Sequence, residues 1–304
     1  MKQRFVLVDV FANRALAGNP LAVFPEADGL SETVMQSVAR EMDHAATAFL
    51  QKPTSPEAAF RLRIFSRERE IPFAGHPALG AHFVHASESG RALAEPLTKL
   101  VHEDAGGRLF HVEARVESGI ILLLRLTQEP PQMEPRLSEQ EAGEVARALG
   151  LEEEEIHATN QPVRIVSTGL PVLIVPLATL RALENARPRY DLLRRALEGS
   201  GATLVYAFTK ETRDAHAAAQ ARAFDTVGFT EVAGAGAAAG ALAAYLVSHA
   251  AVTVQPVTTL TIEQGHNVNR PSTLFVEVEM KGAAISRVVV GGRVVRVGEG
   301  TLEA

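Results

Sequence analysis

Residues 221–249 read ARAFDTVGFTEVAGAGAAAGALAAYLVSH. Arg222 and Phe224 sit on a short strand-like run, a loop of about ten residues follows, and Gly236 opens an almost wholly apolar helix. Residues 61–87, RLRIFSREREIPFAGHPALGAHFVHAS, repeat that order with Arg63, Phe65, a charged loop and a second helix opened by Gly75. A fold built twice from one unit accounts for the echo, so we expect two similar lobes whose equivalent helices face a shared cleft. Glycine-opened helices are also common, and the repeat alone does not decide between the two explanations.

The rest of the chain is consistent with an α+β architecture. Val6 to Phe11 and Leu21 to Phe24 are apolar and partly alternating, and Gly18, Asn19 and Pro20 form a turn between them. Ser31 stands at an N-cap position, and Val34, Val38 and Met42 recur at helical spacing behind it. Strand-like runs at 109–116 and 119–127 stop at Pro130 and Pro131, the expected link between lobes. That divides the chain into 1–128 and 132–292, with the last strand, about 293–304, free to cross back to the first lobe.

Composition narrows the function. The chain has 304 residues, 46% hydrophobic and 22% charged, enough to bury a full core. A net charge of -6 with mixed signs offers no basic stripe for nucleic acid and no cationic amphipathic helix for a lipid surface. The N-terminal apolar run is interrupted by Asp9, too short for a signal peptide or a membrane span, so a cytoplasmic protein with a small-molecule substrate is expected. The absence of cysteine excludes disulfides, thiolate nucleophiles, cysteine-ligated zinc and the cysteine-dependent racemases.

A helix opened by glycine presents unpaired N–H groups and a positive dipole end, able to hold a carboxylate without a charged side chain. His76 follows Gly75 directly and falls in the first turn, where the helix field favours a neutral ring able to accept or donate a proton near pH 7. A capping or packing histidine gives the same local sequence. His44 beside Asp43 is either a polar dyad or a surface turn, and Glu231 before the Gly236 helix is either an acid reaching the slot or dipole compensation. His82 and His85 lack neighbouring ligands, so no metal site is expected.

These motifs converge on a resemblance. VDVFANRALAGNPLAVF, IFSREREIPFAGHPALG, STGLPVLIVPL, QGHNVNRPSTLFVEV and RVVVGGRVVRVGEGTL resemble, in order, segments of the PhzF-like family of phenazine-biosynthesis isomerases. The resemblance implies a diaminopimelate epimerase-like fold: two pseudo-symmetric lobes, each with mixed strands around a central helix, forming a homodimer. It also implies cofactor-free proton transfer by a glutamate base assisted by a histidine and an aspartate. The family's base follows a Glu-Met-Asn sequence, and in this chain the matching position is Ala46. In the second motif Val232 stands for the aspartate, and Ala235 and Ala237 stand for a threonine and a serine beside Gly236.

Only His76 survives among the side chains credited with the family's chemistry, and the standard reaction is not expected. Asn19, Ala46, Gly75, Val232, Ala235, Gly236 and Ala237 would line an apolar cleft for a substrate bearing a carboxylate or carbonyl. Three functions follow: an isomerase or cyclase of altered chemistry centred on His76, a binding or scaffold protein, or a conventional isomerase or epimerase with Asp43, His44 or Glu231 as relocated base.

Overall fold

The structure is a computed structural model and describes residues 2–71, 75–90 and 92–303. Pro72, the end of the expected charged turn, lies outside the described residues. Two compact units divide the chain, Met1–Thr127 with Gly291–Ala304, and Gln128–Val290.

The first unit contains β1 (Lys2–Val10), β2 (Asn19–Phe24), α1 (Glu32–Met42), β3 (Thr47–Gln51), β4 (Phe60–Phe65), α2 (Gly75–Glu88), β5 (Leu97–Glu103), β6 (Leu109–Glu117), β7 (Ile120–Thr127) and the terminal strand β17 (Val294–Glu303). Its strands pair in the order β17, β1, β2, β3, β4, β5, β6, β7, parallel at β2/β3 and β4/β5 and antiparallel elsewhere. Gly18 makes the entry to β2, with φ of 65° and a Cβ position only 2.3 Å from the Val10 carbonyl oxygen, so no larger residue fits.

The second unit contains β8 (Gln132–Arg136), α3 (Glu139–Ala148), α4 (Glu154–His157), β9 (Arg164–Ser167), β10 (Pro171–Pro176), α5 (Leu180–Asn185), α6 (Tyr190–Ala196), β11 (Leu204–Thr209), β12 (Ala219–Asp225), β13 (Thr230–Val232), α7 (Gly236–Ser248), β14 (Val257–Gln264), β15 (Ser272–Lys281) and β16 (Ala284–Gly292). Its order β8, β9, β10, β11, β12, β14, β15 is parallel at β10/β11 and β12/β14 and antiparallel elsewhere, the same alternation as β17 to β6. β13 pairs Glu231 with Phe224 on β12, and the matching bridge in the first unit pairs Glu70 with Phe65. The repeat is therefore one of backbone pairing and not only of composition.

Each sheet has two covered faces. In the first unit Ala22, Phe24, Phe49 and Phe65 pack under Met35, Val38 and Ala39 of α1. The period of two then turns Ala48 and Leu50 to the opposite face, where α2 packs on β1, β2 and β3. In the second unit Val205, Ala207 and Phe224 face the layer of α3, α5 and α6, while Phe208 meets Tyr245 of α7 edge-on at 5.7 Å. α7 is apolar and buried on nearly every side, with eleven of its 13 residues buried, and α2 buries eight of its 14, as central helices do. Gly80 lets α2 approach, since a Cβ there would stand 2.4 Å from Leu21 Cδ2.

Candidate functional site

His76 occupies the first turn of α2, and its Nε2 is out of solvent without a hydrogen-bond partner among the described residues. Its pKa is lowered from 6.5 to about 3, first by burial and then by the charge of His44. The two histidines are thus electrostatic neighbours. α1 ends at Asp43 in the left-handed region, φ 52°, and this turn carries the chain out through His44 into β3. Asp43 itself points to Arg67, its carboxylate 2.5 Å from the guanidinium, on an exposed surface. Of the residues singled out in this stretch, the fold brings His44 to His76 and sends Asp43 away.

The remaining first-unit candidates are apolar or structural. Ala46 immediately precedes β3 and is 1% exposed, and Asn19 begins β2, is 2% exposed and is paired in register with Val10. Gly75 is the first residue of α2.

The start of α7, like those of the short helices α4 and α6, has no side-chain cap. Ser31, Ser138 and Thr179 cap α1, α3 and α5 with side-chain oxygens, whereas α7 begins behind Ala235 with no side-chain cap. Its first intrahelical bond runs from Ala239 N–H to the Ala235 carbonyl at 2.9 Å, which leaves the N–H groups of Gly236, Ala237 and Ala238 without an acceptor inside the helix. Side-chain amides hold the approach instead. Gln264, fully buried, accepts from Ala235 N–H at 3.2 Å and Tyr206 O–H at 2.9 Å and donates to the Val232 carbonyl at 2.6 Å. Gln128 donates to the Gly236 carbonyl at 3.0 Å and accepts from Thr168 O–H at 2.6 Å.

Val232 and Glu231 fall on opposite faces of β13. Val232 is in register with Ala223, whose neighbour on β11 is Tyr206 on the α7 side. Glu231 is in register with Phe224, on the side of α5 and α6, and there both of its oxygens accept from Arg222, at 3.0 and 2.7 Å. Arg222 also donates to the carbonyls of Leu183 and Ala186 at the end of α5 and stands 4.8 Å over the Phe224 ring. The equivalent Arg63 clasps Glu70 at 2.7 and 2.6 Å and stands 5.1 Å over Phe65.

Comparison with known proteins agrees with this architecture. The profile of the phenazine biosynthesis-like proteins, PhzC-PhzF, matches residues 8–300. The chain belongs to the PhzF family. A PhzF family protein of Bacillus anthracis superposes with a TM-score of 0.89 over 100% of both chains at 24% identity, which shows the shared diaminopimelate epimerase-like fold. The chain is 31% identical over 300 residues to the trans-2,3-dihydro-3-hydroxyanthranilate isomerase of Pseudomonas fluorescens, covering 98% of each. It is 32% identical over 306 residues to a protein of Mesorhizobium japonicum named an uncharacterized isomerase, covering 99% of this chain and 98% of the other. These PhzF relatives support an isomerase role.

Residues that sequence reasoning passed over include Gln264, Gln128 and Thr168 at the start of α7, and His102, the partner of His82. His82 Nε2 lies 3.0 Å from His102 Nδ1 in the core of the first unit, with Phe60 and Phe110 stacked around them. Burial holds His82 well below 6.5 and His102 at about 4. Among the described residues no cluster of three or more His, Asp or Glu is placed to hold a metal ion, and no helix is long and apolar enough to cross a membrane.

Proposed function

We propose that the protein is an isomerase or cyclase of altered chemistry that moves protons on a small carboxylate- or carbonyl-bearing substrate, with His76 as the acid/base. The observation that carries this reading is the His76 Nε2, out of solvent and without a hydrogen-bond partner among the described residues, on a ring kept neutral by burial and by His44. Such a ring waits uncharged because burial penalises the imidazolium and His44 disfavours it further. A substrate carboxylate arriving beside it supplies an anion, raises the ring's proton affinity and lets Nε2 take a carbon-bound proton and return it elsewhere on the skeleton. The uncapped N–H groups of Gly236, Ala237 and Ala238 are suited to a carboxylate or a developing oxyanion.

Ala46 and Val232 stand where the family's motifs carry a glutamate and an aspartate, so orientation and exclusion of water take a larger share than a carboxylate base. This reading calls on no cofactor and takes the protein as a cytoplasmic homodimer. A second reading, a binding protein that has lost catalysis, draws on the same two apolar positions.

The test is turnover of trans-2,3-dihydro-3-hydroxyanthranilate and a panel of small aromatic carboxylates in deuterated water, comparing wild type with His76→Ala. Conversion with deuterium incorporation by wild type alone supports the isomerase. A compound that stabilises both proteins equally and is never converted supports the binding protein.

A further inference from the structure

A depression of about 210 Å³ opens in the second unit, at the carboxyl ends of the parallel pair β10 and β11, where Pro176 and Phe208 are register partners. Its floor is apolar, made by the buried Pro176, Leu177 and Phe208, and Ala158, Ala178 and Ala251 form part of its wall. Carboxyl ends of parallel strands are where open α/β sheets place their ligands. Ala251 follows the end of α7, so the depression is about 20 Å, the length of that helix, from the uncapped start at Gly236.

Two polar groups at this depression have unfilled bonding capacity. Gln161 Oε1 is out of solvent and has no donor among the described residues. An amide oxygen buried in that state costs about 1–3 kcal/mol, which a donor from outside the chain removes. The Lys210 ammonium donates to the Ala251 carbonyl at 2.6 Å, and among the described residues no carboxylate pairs with it. An ammonium carries three donors, so two remain. Thr159, the other polar lining residue, is already satisfied: it donates to the Ile156 carbonyl at 2.7 Å and accepts from Gln161 N–H at 3.1 Å.

We infer that this depression is a second small-molecule site, for a monocarboxylate with an apolar body and a hydroxyl or amino donor. The carboxylate meets Lys210, the donor meets Gln161 Oε1, and the body lies on Phe208, Leu177 and Pro176. The volume equals about seven waters, enough for a single substituted ring and too little for a nucleotide.

The experiment is a calorimetric titration with 4-hydroxybenzoate and with benzoate, which keeps the acid and the ring but lacks the donor. Binding of 4-hydroxybenzoate, weaker binding of benzoate, and a loss of about tenfold or more in Lys210→Ala and in Gln161→Leu are expected. Lys210→Met, which retains the side chain's apolar stem, repeats the test should the alanine variant be unstable. His76→Ala should leave the affinity unchanged, so failure here and failure of the proposed catalytic role are separate results. No binding at millimolar concentration, or binding that is lost in His76→Ala and kept in Lys210→Ala, overturns the second site.

Discussion

Arg222 holds both carboxylate oxygens of Glu231, at 3.0 and 2.7 Å, on the face of the sheet that turns away from α7. The side chains are 7% and 10% exposed, and the guanidinium also satisfies the end of α5. Glu231 is thereby committed to tying a return strand to the outer helical layer, as Glu70 is through Arg63. Removing one member leaves a buried charge without its partner. Glu231→Ala should cost about 3–5 kcal/mol in urea unfolding, while turnover or ligand binding per folded molecule stays at the wild-type level. A Glu231→Gln protein that is fully folded and inert would instead make Glu231 the base.

His76→Ala should leave the melting temperature within a few degrees of wild type and reduce turnover by about 10²- to 10⁴-fold. The pH dependence carries a second signature. Because the free ring titrates at about 3 and not at 6.5, kcat/KM should show no inflection near 6.5 and stay flat until the substrate's own carboxylate protonates, at about 4. An acid limb centred near 6.5 that disappears in His44→Ala would place the essential ring at His44.

The buried histidines predict acid sensitivity of the fold. His102 titrates at about 4 and His82 well below 6.5 because burial penalises the charged ring; Asp104 acts in the opposite direction on His102 and His111 adds to its shift, while His102 and then His85 add to that of His82. Between 6.5 and the folded-state value the unfolded chain binds more protons, so stability is full above 6.5 and falls as pH drops. Each ring contributes a slope of about 1.4 kcal/mol per pH unit in that window. Unfolding midpoints measured from pH 7 downward should show the slope, and His102→Phe should flatten it. A wild-type midpoint independent of pH in this interval contradicts the neutral pair.

Gly240 leaves room for the Gln128 amide that holds the start of α7. A Cβ at this position would stand 1.8 Å from Gln128 Oε1, an atom already fixed by Thr168. Gly240→Ala should displace that amide, release the Gly236 carbonyl and cost about 1–3 kcal/mol, despite alanine being the better helix former. Gln128→Ala in the same background should recover part of the loss, and unfolding of the two single variants and the double variant measures the coupling.

The primary sequence by itself determined the elements and their repetition. Glycine openings at Gly75 and Gly236, the Ser31 cap and the partly alternating runs of β1 and β2 are local signals, and local chemistry makes them legible within a few residues. β5 and β8 were not legible in this way, because their alternation is weak and their pairing depends on distant strands. Tertiary structure alone decided which groups meet. Glu231 and Val232 are neighbours in the chain, yet the period of two and the register with β12 place them on opposite faces, one bound to Arg222 and one on the side of α7. His44 reaches His76, His82 reaches His102 and Gln264 reaches Ala235 across 32, 20 and 29 positions. Those separations are closed by strand pairing and helix packing, which no local window of sequence contains.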